Sequence, residues 1–252
     1  MPRYKLFIEY DGTPFCGWQA QSHAPSVQQT LETVIARFAE HAVRLCVAGR
    51  TDSGVHALHQ VAHFDMDKVM HTDTVRDAAN AHLRDLLRLP AISVLNVEIV
   101  PTTFHARHSA IRRYYLYRIL NRRSPSALDI RRVWHLPKPL DIEAMQDACS
   151  VLIGRHDFTT FRASNCQAKS PIKNLDHLEI KQNQEEIHIT AHARSFLHHQ
   201  VRSITGGLMQ VGSGKWTKND LKTALEACDR QRCPVMAPAH GLYLTGVDYA
   251  QT

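Results

Sequence analysis

The chain has 252 residues, 44% of them hydrophobic and 21% charged, with 11 glycines and 11 prolines. That composition excludes fibrous and disordered classes, and the length allows one large domain or two ordinary ones, each able to bury a core unaided. Net charge is +6, yet residues 1–100 hold 9 Lys/Arg against 11 Asp/Glu, so the whole basic excess lies beyond them.

The densest stretch, residues 105–132, carries eight arginines (107, 112, 113, 118, 122, 123, 131 and 132) against the single acid Asp129. A polyanionic partner gains from such a concentration, because each phosphate neutralised releases a condensed counterion. The six cysteines contain no C-x-x-C pair, which points to free thiols in a reducing cytoplasm. The N-terminus lacks the apolar core of a signal peptide, and no run of 18 apolar residues occurs, so no membrane association is expected.

Taken in chain order, "YKLFIEY" (4–10) reads as a strand ended by the turn Asp11-Gly12. Residues 26–40 then have helical spacing (Val27, Leu31, Val34, Ile35, Phe38), opened by an S-x-x-Q capping box at Ser26 and Gln29. "AVRLCVA" (42–48) and "ALHQVAHF" (57–64) read as strands, 72–87 as a helix, and the alternating "ISVLNVEIV" (92–100) as another strand. The order β-α-β-β-α-β is the split, ferredoxin-like arrangement. The second half repeats that order with insertions: strand 113–120, helix 141–154, the strand pair "LDHLEIK" and "EEIHITAHA", helix 196–211, and strand 241–249. The expected class is α+β, with an N-terminal domain 1–103 and a basic C-terminal domain 104–252, two such halves leaving a central cleft for a ligand.

Several motifs fail on inspection. "FDMDKV" matches D-x-D-x-V, but His63 interrupts the apolar strand that an aspartyl nucleophile of that type needs, and its acidic partner motifs are missing. Seventeen histidines include no H-E-x-x-H and no cysteine pair to complete a zinc site, so no metal is expected. Gly206-Gly207 fall inside a helix in "GGLMQVGSGK", whose spacing is not that of a phosphate loop; close helix packing accounts for them better.

Two stretches keep a functional reading. In "AGRTDSGVHA" (48–57), Asp-Ser-Gly is turn chemistry, yet in an extended segment Arg50 and Asp52 emerge on one face, where a guanidinium would keep a nucleophilic carboxylate ionised. In "RRYYLYRI" (112–119), alternation puts Arg113, Tyr115 and Tyr117 on one side, the pairing of arginine and aromatic that holds phosphates and stacks unpaired bases. For any one of the tyrosines, core packing is the simpler account.

These residues lie in six blocks that together resemble the A type of tRNA pseudouridine synthases over nearly the whole chain. The blocks are "YDGTPFCGWQAQ" (10–21), "AGRTDSGVHALHQVAHF" (48–64), "FHARHSAIRRYYLYRI" (104–119), "DFTTFRASNCQAKSPIKN" (157–174), "SFLHHQVRSITGGLMQVGSG" (195–214) and "GLYLTGVDY" (241–249). Ser53 stands where the family most often has alanine, and Lys173 where arginine is usual.

The resemblance implies a fold of two similar α+β domains with antiparallel sheets joined side by side. It implies a homodimer acting on the anticodon stem-loop of tRNA, at positions 38 to 40, without a cofactor. It implies that Asp52 is the nucleophile, that Tyr115 stacks on the target base, and that Arg50 and Arg202 are basic partners of the carboxylate and the RNA. Arg107, Arg113, Phe161, Arg162, Lys169, His198 and His199 are further candidate RNA contacts in the same blocks. Whether Asp52 attacks C6 or C1′, or removes the C2′ proton, is left open. The alternative is a tRNA-binding or chaperone protein of this fold without turnover.

Overall fold

A computed structural model describes residues 1–21, 24–87 and 89–250. The chain divides into two compact units, residues 1–113 with 243–252, and residues 114–242. The expected division at 103/104 therefore moves ten residues along. Two features explain it. Buried Arg113 donates to the carbonyls of Ala48, Arg107 and Ala110, tying residues 104–113 to the first unit, and the terminal strand returns there too.

The first unit contains β1 (Arg3–Tyr10), α1 (Val27–Ala39), β2 (Cys46–Val47), β3 (His56–Asp65), α2 (Thr72–Leu86) and β4 (Ile92–Val100). β1 pairs antiparallel with both β3 and β4, and β2 pairs antiparallel with β3. The order β4-β1-β3-β2 is the ferredoxin-like one that the pattern predicts. Strict alternation on β1 sends Tyr4, Leu6, Ile8 and Tyr10 to a fully buried face. Val27, Leu31, Val34 and Ile35 of α1 and Val75, Ala79 and Leu83 of α2 are equally buried. Ser26 caps α1 by accepting from the Gln29 N–H at 3.2 Å.

The expected strand 42–48 shrinks to two residues, set against His63 and Ala62. The first two residues of that same edge of β3 are taken by β11 (Leu242–Tyr249), which pairs in parallel through Tyr243↔His56 and Leu244↔Ala57. On the other face of the sheet, Ala48, Val61 and Ala106 form a small cluster covered by Phe7, Phe104, Val247 and Tyr249.

The second unit takes most of β5 (Ala110–Leu120), which starts in the first, and β6 (Trp134–His135), α3 (Ile142–Cys149), β7 (Gly154–Asp157) and β8 (Ile172–Leu175). It continues with β9 (His177–Asn183), β10 (Glu186–Ala193), α4 (Gln200–Gly212) and α5 (Lys218–Glu226). β10 lies between β5 and β9, β6 adds a short parallel strand to β5, and β7 and β8 form a separate hairpin.

Both helices expected in this unit, α3 and α4, are shorter than their periodicity. After Cys149 the chain tightens into i→i+3 bonds and turns at Gly154 (φ +105°), so apolar Val151 and Leu152 belong to a turn. His199 sits in the left-handed region at φ 67°, which ends α4 there and leaves Phe196 and Leu197 outside it. Gly206 and Gly207 are packing glycines, as expected: an added Cβ would lie 1.9 Å from the Val235 carbonyl oxygen and 2.8 Å from Leu221 Cδ1. No helix among the described residues is long and apolar enough to cross a membrane.

Candidate active site

Asp52 sits on the connection between β2 and β3, half-buried, at the first position of a tight turn. Its carbonyl accepts from the Val55 N–H at 3.1 Å, and Gly54 supplies the positive φ of 77° that the turn requires. A loop has no ladder to hold it, so its rigidity comes from the segment after β1. The Trp18 N–H donates to the Thr51 carbonyl at 3.0 Å, and the Ser53 hydroxyl donates to the Phe15 carbonyl at 3.2 Å.

This contact is so close that only glycine fits on one side. A Cβ on Gly12 would lie 2.0 Å from the Val55 carbonyl oxygen, and one on Gly17 (φ +104°) 2.7 Å from that of Thr51. Beneath the loop, buried Tyr10 and Thr51 share a hydroxyl hydrogen bond of 2.7 Å, and Gln60 donates to both the Tyr10 hydroxyl and the Gly49 carbonyl. Burial pushes the Tyr10 phenol up to about 12, so it stays a neutral member of this network.

Arg50 does not do what its spacing predicts. It is exposed, and among the described residues it forms no ion pair with Asp52. The physical reason is that the turn begins at Asp52, so the period-two alternation that would align the two side chains ends between them. Arg50 instead lines a pocket of about 250 Å³ with Trp18, Arg44, Cys46, His105, Arg107 and His108. Trp18 is 1% exposed and its indole Nε1–H has no partner among the described residues, an arrangement that costs about 1–3 kcal/mol when nothing fills it. Neither Trp18 nor Arg44 stands out by spacing; only the fold brings them together.

In the second unit, β5 orders its tyrosines by environment. Tyr117 is wholly buried, donating to the Pro238 carbonyl at 2.7 Å, and burial raises its phenol far above the ordinary range. Tyr114 packs on the His192 ring, whereas half-exposed Tyr115 meets Phe196 edge to face at 5.1 Å. Arg202, in the first turn of α4, donates from Nε to the Ala237 carbonyl at 2.9 Å and accepts from the Ala237 N–H through its own carbonyl. The side chain is thus held by the segment for which Gly206 makes room.

Two of the other expected RNA contacts belong to the interior. Phe161 is fully buried, packs near Phe158 and lies against the site of the missing Gly207 Cβ; Arg113 is buried with its guanidinium on three backbone carbonyls. A strand or loop next to a functional residue must also anchor itself, and sequence does not separate the two roles. Arg107 and Lys169 are exposed, and Arg162 is half-buried. The His198 and His199 rings lie with centres 4.0 Å apart and tilted by 45°, His198 reaching Asn165 at 3.1 Å.

The family model described as tRNA pseudouridine synthase matches residues 6–109 and 148–250. The chain belongs to the tRNA pseudouridine synthase family. It is 57% identical to the tRNA pseudouridine synthase A of Afipia carboxidovorans over 249 residues, covering 99% of this chain and 100% of that one. It is 56% identical to the one of Bartonella tribocorum and 55% to the one of Caulobacter vibrioides, with 99% of this chain and 100% and 99% of theirs aligned. Membership makes the protein an isomerase, and the α+β class read from the sequence stands.

One unexpected cluster in this synthase has metal-ligand character. Cys46, His63 and His105 each bring one ligand atom within 4.8 Å of the others. Its surroundings disfavour a cation, however. His63 Nδ1 already accepts from the Ala106 N–H at 3.1 Å, while burial and the nearby Arg3 charge lower His63 to about 4. Cys46 and His105 also border the pocket of three arginines. All six cysteines are free thiols.

Proposed function

We propose that this synthase converts uridine to pseudouridine in the anticodon stem-loop of tRNA, with Asp52 as the nucleophile. The observation that carries the reading is the bracing of the 49–55 loop, where glycine contacts, backbone bonds and the Tyr10–Thr51–Gln60 network hold the backbone that bears half-buried Asp52. A binding protein has no need of a fixed carboxylate, which would repel phosphates. The isomerisation breaks the N1–C1′ bond and joins C5 to C1′ within the same nucleotide, moving a proton from C5 to N1 and requiring no oxidant or reductant. It therefore calls for a positioned nucleophile and a surface that holds the detached base.

Tyr115 supports that second requirement, because it is a half-exposed ring kept upright by its edge contact with Phe196. Arg202 and exposed Arg50 supply positive charge for the RNA strand, and a homodimer in the cytoplasm is the expected working form. The target uridine must leave its stack, and phosphate contacts from the exposed arginines of residues 105–132, among them Arg107 and Arg123, offset that expense.

The test is pseudouridine analysis of tRNA incubated with pure protein. Asp52→Asn is expected to abolish product while tRNA affinity stays within a few-fold; a fully active Asp52→Asn protein refutes the nucleophile assignment. Tyr115→Phe is expected to retain most activity and Tyr115→Ala little, whereas complete loss in Tyr115→Phe assigns the hydroxyl to proton transfer.

A further inference from the structure

The pocket beside the Asp52 loop combines features that the isomerisation does not use. Arg44, Arg50 and Arg107 are exposed at its edge, and among the described residues no ion pair or hydrogen bond holds their guanidinium groups. His105 and His108 add two imidazoles, and no Asp or Glu lines the pocket. Its wall includes Trp18, a side chain 1% exposed whose Nε1–H is a buried donor without an acceptor among the described residues. Unpartnered buried donors are rare in folded proteins, and an ordered water or a bound anion is among the things that supply the acceptor.

The three guanidinium groups and the indole ask for negative charge or for a hydrogen-bond acceptor, while His105 Nδ1 is already an acceptor for the Arg107 and His108 N–H groups. An indole N–H only donates, and a guanidinium fork matches the paired oxygens of a phosphate. The same concentration of positive charge argues against a cation at the neighbouring Cys46, His63 and His105. The pocket is large enough for a phosphate group and far too narrow for a duplex. Its arginines sit at an open edge, as suits a polymer that passes by and lowers one phosphate inward.

We propose that this pocket is a phosphate-binding site of the first unit, in which Trp18, Arg44 and Arg107 hold one phosphodiester of the bound RNA strand. It reassigns Arg50 from partner of Asp52 to part of the site that registers the strand against the loop. The inference rests on the reading of RNA as substrate.

The experiment uses the full chain with its tryptophan indoles labelled with ¹⁵N. The chain has three tryptophans, and Trp134→Phe and Trp216→Phe identify the remaining signal as Trp18. Anticodon stem-loop RNA and inorganic phosphate are titrated separately, and pseudouridine formation is followed in the same preparations. The expected result is a downfield move of the Trp18 indole proton with RNA. In Arg44→Gln that move needs about five-fold more RNA, and the slope of log affinity against log salt falls by about one. A Trp18 proton that answers to phosphate but not to RNA overturns the proposal in favour of a small free anion. One that answers to neither, or that titrates identically in Arg44→Gln, overturns it outright. If Trp18 stays still while tRNA is modified, the pocket inference alone fails; if Trp18 moves with RNA and no pseudouridine forms, it is the synthase reading that fails.

Discussion

The two units hold their candidate side chains by opposite means. Asp52 in the first is on a loop, and its position depends on another loop pressed against it at Gly12 and Gly17. Tyr115 and Arg202 in the second stand on β5 and α4, whose backbone bonds already fix the Cα atoms, so only the side-chain ends need partners, Phe196 and Ala237. A regular element supplies order through its ladder, whereas a loop must obtain it residue by residue. The first arrangement is therefore the more easily broken.

The sharpest way to break this contrast is to add one methyl group to each device. Gly17→Ala meets both a positive φ of 104° and the Thr51 carbonyl, so it should destabilise the protein by about 2–4 kcal/mol and displace Asp52. Denaturant unfolding and turnover should fall together. Gly206→Ala lies in a helix, where alanine is locally favourable and no positive φ adds strain, but its Cβ would meet the Val235 backbone carbonyl at 1.9 Å, so the 235–237 segment must shift. A smaller stability loss, about 1–2 kcal/mol, is expected with a larger effect on KM than on kcat. If the Gly206 variant proves the less stable of the two, the ranking of loop and helix is wrong.

A second contrast is in acid. His63 is buried in the first unit, near Arg3, Asp65, Cys46 and His105, and its pKa falls from 6.5 to about 4 on folding. The unfolded chain then binds the proton first as pH drops, so stability is intact above about 6.5 and is lost progressively down to about 4. Urea unfolding between pH 7.5 and pH 4.5 should show a loss on the order of 2 kcal/mol from this group. His63→Asn, which keeps an acceptor for the Ala106 N–H, should flatten that slope; an unchanged slope assigns it elsewhere. Paired Asp65, held below its ordinary value by Arg3, contributes only at lower pH.

The smallest effect expected is that of Tyr10→Phe, which removes one hydroxyl from the network under the loop. It leaves the Thr51 hydroxyl and Gln60 amide short of a partner and should cost about 1–2 kcal/mol. Turnover should fall more than tRNA affinity; an affinity loss with unchanged turnover would mean that the network supports binding rather than the carboxylate.

Legibility in the sequence followed the same divide. Elements with strict periods were readable: β1, α1, α2 and β4 lie within a residue or so of their expected limits, and α1 starts at its capping residue. α5 is not among the expected helices: its T-x-x-D box of Thr217 and Asp220 is a start signal, but its apolar stripe is too weak to mark a helix after it. The end of α3 and the start of α4 were not readable, because Gly154 and His199 depart from the pattern through backbone angles that composition does not encode.

By itself, the sequence determined the α+β class, the order of elements, the family, and Asp52 as the residue to examine. These depend on local periodicity and on matching blocks, both of which are linear properties. Tertiary structure decided what cannot be linear. It set Arg50 toward Arg44 and Arg107 instead of Asp52, committed Arg113 and Phe161 to the interior, returned β11 to β3, and left Trp18 a buried donor without an acceptor among the described residues. In each case the deciding factor is which backbone carbonyl or charge lies opposite across a gap of many residues, and only the folded chain sets those distances.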